Sequence, residues 1–171
     1  IKYAAIFDRK LFSFLENNQS KISVHSAKGG QASQRVDSST ILHIIHRCCE
    51  LKKIFVEKDE RETGLRRILN FGHTIGHAVE SLSNYKLLHG EAVAIGMMAE
   101  AKISVALGVL DQSDVERLND LLQLYKLPTD IPSRMDTHKI IRLTLHDKKV
   151  HQGKVQYTLL EKIGKAIVGI S

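Results

Sequence analysis

The residues best suited to chemistry lie in RETGLRRILNFGHTIGHAVESLS, residues 61 to 83. Read as one α-helix at about 100° per residue, this segment places Arg66, Asn70, His73, His77 and Glu80 within roughly 40° of one line. A cation, an amide, two imidazoles and a carboxylate then stand in file, while Ile68, Phe71, Ile75, Val79 and Leu82 form the opposite, apolar face. A solvated helix face is the ordinary explanation of a polar stripe. Such faces are usually built from Lys, Glu and Gln, however, and Asn and His are mediocre helix formers, so this composition favours a site. His73 and His77 are four residues apart, a spacing that turns two imidazoles towards one metal ion. Between them stands Thr-Ile-Gly, not the glutamate-bearing form of the metalloproteases, and the pair alone does not specify a metal. Gly72 and Gly76 each cost roughly 1 kcal/mol in a helix relative to Ala, which implies close approach by another backbone or a ligand.

A third histidine follows a short loop. His89 opens HGEAVAIGMMA, residues 89 to 99, a segment apolar around most of its circumference and therefore a buried helix. It can converge on the same metal as the first two, or simply begin the helix, where Glu91 suits the first turn by the helix dipole. The elements around these residues read as mainly helical. Apolar periodicity predicts helices over 8 to 18, over 38 to 56 with Ser39 or Thr40 as cap, over 61 to 83 and over 90 to 107, the last ended by Gly108. A further helix runs from a Ser113–Glu116 capping box to Tyr125, and another over about 136 to 146. Gly29-Gly30 marks a loop. The tail changes period, and residues 155 to 160 and 166 to 170, flanking Lys162-Ile163-Gly164-Lys165, predict a small β-hairpin near the C-terminus.

The 171 residues carry 25 Lys and Arg against 19 Asp and Glu, a net charge of +6, with 43% apolar residues. These values describe a globular domain with a sizeable core, not a disordered or fibrous chain. The basic residues are scattered and form no nucleic-acid-binding motif, so an anionic small molecule is the partner to expect, with no nucleic acid and no membrane. Cys48 and Cys49 are adjacent, a poor arrangement for a structural disulfide or a zinc knuckle, and fit a cytoplasmic setting.

Five stretches in collinear order carry a more specific signal: IKYAAIFD at 1 to 8, CCELKKIFVEKDERETGLR at 48 to 66, LNFGHTIGHAVE at 69 to 80, LHGEAVAIGM at 88 to 97 and HDKKVHQGKVQYTLLEKIGKA at 146 to 166. Together they closely resemble the 3-dehydroquinate synthase family over nearly the whole chain. The resemblance implies a phosphate lyase of the shikimate pathway, serving aromatic amino acid biosynthesis. It converts 3-deoxy-arabino-heptulosonate 7-phosphate to 3-dehydroquinate and phosphate by NAD-mediated transient oxidation, β-elimination, reduction and aldol closure, with Zn2+ or Co2+. By the same resemblance His73 and His89 bind the metal, and His77 and Lys2 act at the substrate. Lys52, Arg66, Asn70 and one of Lys148 and Lys149 hold the sugar acid phosphate. A homodimer is implied for the full-length enzyme.

Two parts of the family pattern are missing. The family's third metal ligand, a glutamate shortly before the IKY element, has no counterpart in a chain that opens at Ile1, and no glycine-rich nucleotide-binding domain is present. The expectation is therefore that residues 1 to 171 are the C-terminal, metal- and substrate-binding helical domain of a two-domain enzyme, with NAD bound mainly by the other domain. Such a piece is expected to fold, to bind metal weakly and to be inactive alone. The alternatives are another sugar phosphate cyclase, such as a 2-deoxy-scyllo-inosose or valiolone-type synthase, a metal-dependent glycerol dehydrogenase, or a non-catalytic helical interaction module with structural histidines.

Overall fold

The structure, a computed structural model, describes residues 1–22, 36–62, 64–145, 150–151 and 154–170. Their order is α1 (Lys2–Phe7), α2 (Arg9–Asn17), α3 (Gln19–Ile22), α4 (Ser38–Lys58), a 3-10 turn (Leu65–Asn70), α5 (His73–Leu82), α6 (His89–Ala106), α7 (Gln112–Leu124) and α8 (Thr137–Leu145). Two antiparallel ribbons follow, β1 (Val150–His151) with β2 (Lys154–Val155), and β3 (Tyr157–Lys162) with β4 (Lys165–Ile170). The expected mainly helical fold with a C-terminal hairpin is present. The expected loop at Gly29-Gly30 lies outside the described residues.

Helix α6 is apolar almost all round and takes the centre. Ala92, Ala94, Ile95, Met98 and Ala101 are buried, with α5 and α7 against it and β3 packed across it. The β3–β4 hairpin, in register Leu159↔Ile167 and Leu160↔Ala166, closes the core because Thr158, Leu159 and Leu160 are all buried. Three backbone donors tie it down: Leu160 N–H to Ser104 Oγ at 3.2 Å, Ile163 N–H to Asp114 Oδ2 at 2.9 Å and Gly164 N–H to the Ala5 carbonyl at 2.7 Å. Phe12, Leu118, Leu121 and Leu122 complete the core on the side of α2 and α7.

One expected element is broken. Residues 61 to 83 do not form a continuous helix. The chain leaves the 3-10 turn at Phe71 and turns through Gly72 at φ 78° before α5 begins. The break buries Phe71 completely and lays Gly72 on α6, packing that a straight helix would forfeit. Arg66 and Asn70 therefore do not stand in file with His73 and His77. Caps differ as well. Asp37, not Ser39 or Thr40, caps α4 by accepting from the Ser39 N–H, and α7 starts after Asp111 with Gln112 donating to Glu116 in place of a Ser113–Glu116 box.

Asp8 joins two helices. Its Oδ1 caps α2 by accepting from the Leu11 N–H at 3.0 Å, and its Oδ2 accepts from Arg47 Nε of α4 at 2.6 Å. Burial by itself would raise the Asp8 pKa; the Leu11 N–H and the Arg47 guanidinium outweigh it and hold the carboxyl below its ordinary 3.8. A depressed carboxyl stabilises the fold above that ordinary value and loses its contribution as pH falls below it. Asp8→Ala should cost about 2 kcal/mol at pH 7, from the lost cap and ion pair, while Asp8→Asn keeps the cap acceptor and loses less. Urea midpoints at pH 7 and pH 3 check this: the gap between wild type and Asp8→Asn should shrink at the lower pH.

Candidate metal centre

His73 is the first residue of α5, His77 lies one turn further on, and His89 is the first residue of α6. The α5–α6 crossing brings the three rings into a near-equilateral triangle, with centroids 5.4, 5.4 and 5.7 Å apart. One nitrogen from each ring lies within 4.8 Å of the others. A tetrahedral zinc with bonds of about 2.05 Å needs its nitrogens roughly 3.3 Å apart, a gap that small rotations of the imidazoles close. His77 and His89 are exposed and His73 half-buried, so the triangle opens to solvent on one side, where a substrate can enter.

Each of two rings is oriented through its other nitrogen. His73 Nδ1–H donates to the Phe71 carbonyl at 3.2 Å and His89 Nδ1–H to the Glu80 carboxylate at 3.2 Å, leaving Nε2 of both with a lone pair. Such outer bonds select the metal-binding tautomer. Imidazole donors suit zinc or cobalt, so the residues present fit the metal that the sequence implies. Glu80→Ala should accordingly weaken zinc binding by about 10- to 100-fold, measured by competition with a chromogenic chelator.

The remaining expected residues fall into three groups. Lys2 reaches the site: α1 delivers its Nζ to the Leu69 carbonyl at 2.7 Å and to 3.5 Å from His73 Nε2. Arg66 and Asn70 lie on the 3-10 turn, both held by Glu62. Asn70 Nδ2 donates to Glu62 Oε1 at 2.8 Å, Arg66 Nε lies 3.9 Å from Glu62 Oε2, and Arg66 Nη1 donates to the Glu60 carbonyl at 2.8 Å. Lys52 stands exposed on α4, whose neighbour is the same turn. Lys148 and Lys149 lie outside the described residues.

Sequence reasoning missed the acidic supports. Asp59 Oδ2 accepts from the N–H groups of Gly64 and Arg66 at 2.8 and 3.0 Å, and Glu62 adopts φ 56°, so the acidic run before the motif is a scaffold for its cation and amide. The signal was the density of carboxylates in EKDERE, directly ahead of Arg66.

A family model described as 3-dehydroquinate synthase C-terminal matches residues 1–150. The chain belongs to the 3-dehydroquinate synthase C-terminal family. A 3-dehydroquinate synthase of Nostoc punctiforme is 47% identical over 169 residues, covering 98% of this chain and 44% of that protein. One from Thermodesulfovibrio yellowstonii is 44% identical over 166 residues, covering 96% and 43%. The chain thus spans less than half the length of the curated 3-dehydroquinate synthases it matches. Among solved structures, a 2-epi-5-epi-valiolone synthase from Streptomyces hygroscopicus with NAD+ and Zn2+ bound superposes with TM-score 0.81 at 25% identity, over 97% of this chain and 43% of that one. A 2-deoxy-scyllo-inosose synthase complexed with carbaglucose-6-phosphate, NAD+ and Co2+ gives 0.68 at 25% identity, over 91% and 46%. The architecture is that of sugar phosphate cyclase-type synthases.

Proposed function

We propose that this chain is the metal- and substrate-binding domain of a 3-dehydroquinate synthase, acting with a nucleotide-binding domain to release phosphate from 3-deoxy-arabino-heptulosonate 7-phosphate and close the carbocycle of 3-dehydroquinate. The observation that carries the reading is the triangle of His73, His77 and His89 with Lys2 at its edge. NAD, held mainly outside these residues, supplies transient oxidation and reduction, and a zinc or cobalt ion supplies Lewis acidity. His73 and His89, with their Nδ1 atoms engaged, are the metal ligands.

His77, exposed beside them, takes and returns a proton at its ring nitrogen. Lys2 places positive charge where negative charge develops on a substrate oxygen. Arg66, Lys52 and one of Lys148 and Lys149 neutralise the carboxylate and phosphate. Asn70 offers its amide without adding charge beside the metal, and the hold of Glu62 on Arg66 and Asn70 keeps both in place before substrate arrives. Relatives 44 to 47% identical act as 3-dehydroquinate synthases by name, whereas the related cyclases are 25% identical, which favours this substrate over theirs. Among the described residues no helix is long and apolar enough to cross a membrane, and the free thiols of Cys48 and Cys49 fit a reducing cytoplasm. The full-length enzyme is expected to form a homodimer.

Phosphate release decides the matter. The full-length enzyme should liberate phosphate from the heptulosonate phosphate only with NAD and divalent metal present, and residues 1–171 alone should liberate none. Failure of the full-length enzyme on this substrate, or turnover of a hexose phosphate in its place, would overturn the assignment.

A further inference from the structure

We infer that Glu100 is the positioning residue of the histidine site, fixing through one peptide plane the ring orientation and tautomer of His73. The inference rests on the metal-binding role proposed above for its consequences, though not for its geometry. Glu100 sits on α6 eleven residues after His89 and is completely buried. Its Oε2 accepts from the Gly72 N–H at 2.7 Å. The same peptide unit that carries this N–H carries the Phe71 carbonyl, which accepts from His73 Nδ1–H at 3.2 Å. A peptide is planar, so holding its N–H end holds its carbonyl end.

Gly72 is the residue at which that plane could most easily turn. It sits at φ 78°, between the 3-10 turn and α5, where no side chain caps the helix. A glycine there has more than one accessible conformation, and rotation of the preceding peptide would swing the Phe71 carbonyl away from His73. An acceptor bonded in a dry, low-dielectric interior opposes that rotation more strongly than one in water. Placing a carboxylate among the apolar residues of α6 carries a desolvation cost, and the bond to Gly72 offsets part of it. Glu100 acts on the ring through the backbone, by its bond to the Gly72 N–H.

The test uses the full-length holoenzyme with Glu100→Gln, which keeps an acceptor oxygen, Glu100→Met, which removes it at similar size, and Met98→Ala, a core truncation on the same helix. Zinc affinity is read by chelator competition, and the cobalt-substituted proteins are read by their d–d absorption. Glu100→Gln should stay within about threefold of wild type, and Glu100→Met should weaken zinc by tenfold or more and shift the cobalt bands. Met98→Ala should lower the melting temperature and change neither. In the metal-free proteins, 15N shifts of the His73 ring should show the Nδ1–H tautomer in wild type and Glu100→Gln and a mixture in Glu100→Met. Wild-type affinity, spectrum and tautomer in Glu100→Met would overturn the inference, as would an equal loss in Glu100→Gln. A wild-type enzyme that binds no metal would instead overturn the metal-site reading, and the tautomer would still decide the role of Glu100.

Discussion

His73→Ala in the full-length enzyme is expected to lower kcat/KM by roughly a thousandfold or more, because a Lewis acid supplies several kcal/mol at the transition state and each 1.36 kcal/mol is a factor of ten. His73 begins α5 with its Nδ1 tied to the Phe71 carbonyl, which leaves its Nε2 for the triangle. The zinc dissociation constant should rise beyond the 10- to 100-fold typical of losing an outer-shell support. His77→Gln provides the contrast. If His77 carries a proton, its zinc affinity should stay within about threefold of wild type while kcat falls by about 100- to 10,000-fold. Chelator competition and steady-state phosphate release on both variants check this. Loss of metal from His77→Gln to the extent seen in His73→Ala would make all three imidazoles ligands and would leave the proton to another group.

Gly96→Ala should be, among the described glycines, one of the most damaging single methyls. A Cβ at Gly96 would collide with the Gly72 carbonyl oxygen and would stand 2.8 Å from the Gly76 backbone nitrogen. Both are backbone atoms, so no rotamer change relieves the contact and α5 must move off α6. The collision runs the other way as well, since a Cβ at Gly72 would meet the Val93 carbonyl at 2.7 Å and the Met97 nitrogen at 2.8 Å. Overpacking usually costs 1–3 kcal/mol, and a backbone collision that separates two central helices belongs at about 3 kcal/mol or above. The loss appears in the urea midpoint of the chain. Because α5 carries His73 and His77 while α6 carries His89, the same variant should also weaken zinc binding; a folded Gly96→Ala with an unchanged midpoint and unchanged affinity would show that the crossing does not set the triangle.

Much of the architecture was legible in the order of residues. The apolar periods of α2, α4, α6, α7 and α8 lie where the expected helices lie, Gly108 ends α6 at φ 70°, and the change of period in the tail marks β3 and β4. Local rules apply best where an element buries the face that its own pattern defines, as α2 does with Leu11, Phe12 and Leu15, whereas α4 buries only Thr40 and Leu51 and leaves Leu42, Ile45 and Ile54 exposed. The caps of α4 and α7 lie two or three residues before the expected ones; at α4, Ser, Thr and Asp at neighbouring positions offer nearly equivalent oxygens to the same N–H groups. Helix α1 and the broken 61–83 segment were not legible. Gly72 within a helical pattern implies close approach by another backbone or a ligand, and only contact with α6 makes a left-handed turn there the favourable choice.

The candidate site divides along the same line. By itself the sequence determined the chemistry on offer: two histidines one turn apart, a third at the start of a buried helix, a cation, an amide, and a lysine in IKY. Those are properties of residue type and short spacing. Only the tertiary structure decided which of them meet. It set His77 nearly as close to His89 as His73 is, brought Lys2 across from α1, moved Arg66 and Asn70 into the grasp of Glu62, and turned Glu100 from one more polar residue on α6 into the acceptor that holds Gly72. The physical reason is that an interhelical distance is set by the atoms at the crossing. Here those atoms are glycine backbones: Gly72 and Gly76 signal a close approach in the sequence, but residue type and short spacing do not say which helix makes it.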